Sequence, residues 1–106
     1  KLVMGCVAVR KEYAEQNPDA VKIFMEEYEE SVKSVNSDPD TAASLCEKYG
    51  IVAAAAIAKK ALPYCNIVCL TGADLLEALP GYLEVLYNAS PAAVGGEMPD
   101  NSFYFA

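Results

Sequence analysis

Leu2-Val3-Met4-Gly5-Cys6-Val7-Ala8-Val9 is the stretch on which the fold turns. It carries no charged or strongly polar side chain and is rich in β-branched valine. A run with no polar alternation predicts a strand buried on both faces. Gly5 would weaken that strand locally and would mark a bulge or a close backbone approach. Arg10-Lys11-Glu12 ends the run. A strand of this kind needs neighbours on both edges. The chain offers one candidate, Asn66-Ile67-Val68-Cys69-Leu70, which reads as either a short strand or an extended connector.

Everything between and beyond these stretches reads as helix. Tyr13-Ala14-Glu15-Gln16 gives one short turn. Asn17-Pro18-Asp19 then opens a helix over 17–36, with Asn as N-cap, Pro at N1 and an acid in the first turn. Val21, Phe24, Met25, Tyr28, Val32 and Val35 recur at helical spacing, and Glu26, Glu27, Glu29, Glu30 and Lys33 take the outer face. Asp38-Pro39-Asp40 repeats the start signal for a helix over 38–49, and Gly50 stands where a C′ residue belongs. The alanine-rich run after it predicts a helix over 52–62, stopped by Pro63. Thr71 caps the last helix, 72–88. Its apolar phase survives across Pro80, so one kinked helix is expected and not two. Residues 90–106 form a turn-rich tail carrying Phe103, Tyr104 and Phe105.

The bulk properties exclude several classes. With 106 residues the chain is one domain at most, or part of one. Its net charge of −7 leaves little to neutralise phosphates, so neither nucleic acid nor an anionic membrane surface is an expected partner. No apolar run approaches the roughly 18–20 residues of a transmembrane helix. A first residue of Lys1 predicts a processed product, an excised domain or the ordered part of something longer. Cys6, Cys46, Cys65 and Cys69 are too sparse for a disulfide scaffold, and buried free thiols are the leading reading, ahead of one disulfide. Cys65 and Cys69 have no histidine or second pair to complete a zinc site.

Chemistry is thin. The chain contains no histidine, which removes the commonest general base and the commonest metal ligand. No glycine-rich phosphate loop opens a helix. The acidic run from Glu26 to Glu30 reads as a solvated helix face. No catalytic residue, metal ligand or cofactor is assigned, and the chain is not expected to be an enzyme.

Taken in order, these segments resemble the C-terminal part of extracytoplasmic substrate-binding proteins of ABC importers. The branch is that of type II periplasmic binding proteins for thiamine-precursor pyrimidines, sulfonates, nitrate and taurine. The stretches that carry the resemblance are Gly5-Cys-Val-Ala-Val-Arg-Lys-Glu-Tyr13, Gln16-Asn-Pro-Asp-Ala-Val-Lys-Ile-Phe24, Ser37-Asp-Pro-Asp-Thr-Ala-Ala43, Gly81-Tyr-Leu-Glu-Val-Leu-Tyr87 and Val94-Gly-Gly-Glu-Met-Pro-Asp-Asn-Ser-Phe-Tyr104. The four cysteines and Pro80 depart from the family's usual pattern. The resemblance implies a mostly α fragment of an α/β two-lobe binding protein, with one buried N-terminal strand followed by four or five helices. Residues 2–9 would be the strand crossing between lobes, and 1–106 a single C-terminal fragment.

The same resemblance implies reversible capture of a small solute and its delivery to an ABC permease in the membrane. The setting would be extracytoplasmic, periplasmic or lipoprotein-anchored. Val3, Met4, Gly5 and Cys6 would line the cleft, Gly5 by close backbone approach and Met4 and Cys6 by soft apolar contact. Tyr64, Cys65 and Asn66 form a second candidate set. The remainder of a parent chain, or a second copy, would cover the tail aromatics. The alternative reading is a small helical protein-interaction domain.

Overall fold

The computed structural model describes residues 2–105, and among them it is all helical, with no strand. Five α-helices follow one another: α1 (Lys11–Gln16), α2 (Pro18–Ser37), α3 (Pro39–Lys48), α4 (Ala55–Ala61) and α5 (Gly72–Ala89). Short 3-10 turns occupy Leu62–Tyr64, Pro91–Val94 and Asn101–Phe103. The chain divides into two compact units. One is Val9–Cys69, and the other comprises the residues up to Ala8 and from Leu70 onward.

The expected N-terminal strand is therefore overturned, and with it the α/β fold class. Leu2–Val9 carries no regular secondary structure, and among the described residues its backbone makes no hydrogen bond. The run is also not buried: Met4 is 81% exposed and Leu2 72%. A strand exists only when its N–H and C=O groups meet a second backbone. The other β-leaning stretch offers none. Asn66 sits at φ 51°, and the Ile67 carbonyl accepts from Asn36 Nδ2 at 3.0 Å, which ties that segment to the end of α2. Apolar composition without a pairing edge left 2–9 as bare chain.

In the Val9–Cys69 unit the helix boundaries have local causes. Asn17 stands at the N-cap of α2, but its side chain does not cap. Its Nδ2 donates back to the Tyr13 carbonyl at 3.2 Å and closes α1 instead. Asp38 does cap α3: its carboxylate accepts from Thr41 N–H at 3.1 Å and Thr41 Oγ1 at 2.6 Å. α3 ends in a Schellman motif, with Gly50 N–H donating to the Glu47 carbonyl and Ile51 N–H to the Cys46 carbonyl. Gly50 takes φ 70° there. This reversal displaces the start of the next helix from the expected residue 52 to Ala55. Ala55 N–H is capped from a distance by Glu47 Oε2 at 2.6 Å.

Among the described residues, α3 and α4 share the most extensive contact between elements. Ala43 and Ala58 are buried, and small side chains let the two helices approach. Lys59 Nζ reaches Asp40 Oδ1 at 2.7 Å across this junction. In the other unit, α5 is continuous through Pro80 and packs on the Pro91–Val94 turn. Gly95 and Gly96, both at positive φ, then reverse the chain. Asp100 caps the last 3-10 turn through Ser102 N–H and Oγ.

Two expected outcomes arise here. Gly50→Ala meets no neighbouring atom, so its cost is the left-handed backbone alone, about 1 kcal/mol by urea unfolding. The Asp38 carboxyl is held below the usual aspartate range, first by the Thr41 hydroxyl and then by the Thr41 N–H. A depressed folded-state value means that its contribution is full above the unfolded value of 3.8 and is lost as pH falls through the folded one. Acid titration followed by far-ultraviolet circular dichroism should show helix loss in that window. Asp38→Ala should weaken the helix at neutral pH and remove that part of the acid dependence.

The core is small. Among the described residues the buried apolar ones are Ala14, Val21, Val32, Ala42, Ala43, Ala58 and Ala78, so none larger than valine is buried. The chain exposes 8100 Å². A globular chain of its mass exposes about 5,700 Å², and two separate globules of half that mass expose about 6,900 Å² together. The excess therefore does not depend on how the two units are arranged.

Candidate functional site

The two solute-site candidates fall in different units. Val3, Met4, Gly5 and Cys6 lie on the unstructured N-terminal segment; Val3 is half-buried and the other three are exposed. Gly5 has open space where a Cβ would stand, so no close backbone approach explains it. Tyr64, Cys65 and Asn66 are all exposed. Cys65 Sγ donates to the Ala61 carbonyl at 3.3 Å, and Asn66 Nδ2 to the Tyr64 carbonyl at 3.3 Å. These are local turn contacts and do not form a cleft.

All four cysteines are free, with Cys6 and Cys65 exposed and Cys46 and Cys69 half-buried. The expectation of buried thiols is not met. Among the described residues no cluster of cysteine and carboxylate groups is placed to hold a metal ion, and no buried polar side chain lacks a partner. No helix is long and apolar enough to cross a membrane.

What the structure does place on its surface is apolar. The six-residue stripe of α2 splits into two faces. Val21 and Val32 turn inward, while Phe24 is 50% exposed and Tyr28 40%. The Phe24 and Tyr28 rings stack at 6.0 Å between centroids. On α3, Leu45 is exposed as well. Between α2 and α3 lies an open depression of about 300 Å³, lined chiefly by Ser31, Ser34, Val35, Thr41, Ala42 and Leu45. In the other unit, α5 exposes Leu76 and Val85 and buries only Ala78. The tail aromatics are also open: Phe103 is 63% exposed, and its ring meets Tyr104 edge-on at 5.2 Å.

The sequence pattern places Phe24 and Tyr28 on the inward apolar face of α2, opposite its acidic residues. The available signal was the width of the α2 stripe. It is broader than the few small residues of α1 and α3 can cover. Charge surrounds these faces unevenly. Lys33 bonds Glu30 at 2.9 Å and approaches Glu29 at 3.5 Å, which raises its own pKa. Glu26 and Glu27 have no ion pair among the described residues.

Comparison of the chain with protein-family models, with curated proteins and with solved structures found no match.

Proposed function

We propose that this chain is a helical docking module that completes its fold on the surface of another polypeptide. The observation that carries this reading is how little the chain buries: 8100 Å² of total surface is exposed, no side chain larger than valine is buried among the described residues, and large apolar residues stand open on α2, α3, α5 and the tail. Large apolar side chains left open together on a surface mark interaction sites. Binding, and not chemistry, fits a chain with no histidine and, among the described residues, no cluster of cysteine and carboxylate groups placed to hold a metal ion.

Site-specific photo-crosslinking in the source cells tests it. A benzoylphenylalanine placed at Phe24, Val85 or Phe103 should give discrete protein adducts, and one placed at Glu26 should give none. Absence of adducts at all three apolar positions, or adducts only to lipid, would overturn the reading.

Solute capture as part of an ABC-importer binding protein is the second reading. The observation that favours it is the open apolar segment 2–9, in which Met4 and Cys6 are exposed. Its partners would be a small solute, the permease and the remainder of a parent chain. A thermal shift of this chain with a sulfonate, nitrate or a pyrimidine, removed by Met4→Ser, would support it. No shift with any of them would count against it.

A further inference from the structure

We propose that the α2/α3 face is the groove of this docking module and that its occupant is a basic amphipathic helix of a partner protein. This rests on the docking reading above and names the partner's chemistry.

The groove follows from spacing. Phe24, Tyr28, Ser31 and Val35 stand four, three and four residues apart, which aligns them as one seam along α2. The seam spans about three helical turns, or roughly 16 Å. At its upper end the stacked Phe24–Tyr28 pair forms a flat aromatic platform. At its lower end it runs into the depression walled by Thr41, Ala42 and Leu45 of α3. A helix laid in such a groove presents anchors at the same repeating offsets. Small residues at Ser31 and Ala42 leave room for large ones opposite.

Charge selects the occupant. Glu27 follows Phe24 by three residues and precedes Ser31 by four, so it flanks the seam, whereas Glu30 stands toward the back of the helix beside Lys33. Glu27 has no ion pair among the described residues, and Glu30 shares Lys33 with Glu29. The whole chain carries −7. A second copy would bring the same acidic flank against this one, and like charges across an interface disfavour it. A partner helix with leucines on one face and lysine or arginine beside them meets both the seam and its rim.

Fluorescence anisotropy of the full chain with synthetic helices of about five turns tests the proposal. Three peptides are compared: a Leu-striped Lys/Arg helix, its Glu counterpart, and a scramble of the basic one that keeps composition but destroys the stripe. The basic amphipathic helix should bind at least about tenfold more tightly than either control. Phe24→Ala should weaken it about tenfold, as truncation of a central aromatic does. Glu27→Gln should weaken it less and flatten its salt dependence. Glu27 is solvent-exposed, and unchanged far-ultraviolet ellipticity confirms that helix content is kept. Equal binding of the scramble, or indifference to Phe24→Ala, would overturn the groove. So would loss of binding on Val85→Ser alone, which moves the site to α5, or a concentration-dependent dimer that Phe24→Ala abolishes, which makes a second copy the occupant. Crosslinks from Val85 and Phe103 without peptide binding would leave the docking reading standing and sink this groove.

Discussion

Replacing Pro80 by alanine is expected to stabilise α5 by up to about 3 kcal/mol. Pro80 lies in the interior of Gly72–Ala89 with full turns on either side. It has no N–H to give the Leu76 carbonyl, and its ring crowds that same carbonyl. α5 nevertheless stays continuous, because leucines and tyrosines at helical spacing hold one phase on both sides of the break. Alanine restores the missing bond and relieves the crowding. Amide hydrogen exchange across 72–89 should slow by up to about a hundredfold. Unchanged or faster exchange would show that the proline fits a bend that α5 needs.

The second large effect lies at the α3–α4 junction. Ala43 is 2% exposed and Ala58 3%, the two least accessible of the described residues. Ala43→Leu would force three extra carbon atoms between closely packed helices, at a cost of about 1–3 kcal/mol. The same change at Ala58 should behave alike, and the double variant should depart from additivity because both act on one junction. Ile57→Ala, on the exposed side of α4, should change stability by no more than about 0.5 kcal/mol. Amide hydrogen exchange across α3 and α4 reads all four. A tolerant Ala43 would mean that α3 and α4 are looser than the structure shows.

The helices were legible where the start and stop chemistry was local. Asp38-Pro39 and Gly50 set the ends of α3 through side-chain and left-handed backbone contacts within a few residues. Continuity of α5 through Pro80 followed from one unbroken apolar phase. The start of α4 was not legible. It is set by Glu47 reaching Ala55 across eight residues, and no local pattern encodes that bond. The strand at 2–9 failed for a related reason. Its composition specifies burial, but a strand is a property of two backbones, and the described chain provides no second one.

The candidate site was the least legible part. Val3 to Cys6 and Tyr64 to Asn66 were chosen as neighbours of a cleft that the resemblance implied, and the structure assigns them to different units. Phe24 and Tyr28 were read as inward-facing because hydrophobic periodicity reports which face is apolar. It does not report whether the chain holds enough partner surface to cover that face. Counting small residues on the facing helices would have exposed the shortfall, since Ala14, Ala42, Ala43 and Ala58 can cover little.

Differential scanning calorimetry of the isolated chain tests most directly whether this fold is completed by another polypeptide. A self-sufficient domain of this length unfolds in one cooperative transition with an enthalpy of about 70 kcal/mol near 60 °C. The buried residues seen here predict less than about half of that, spread over a broad transition, with dye binding to exposed apolar surface before unfolding begins. A single sharp transition carrying the full enthalpy, from a chain shown to be monomeric by sedimentation, would contradict the account.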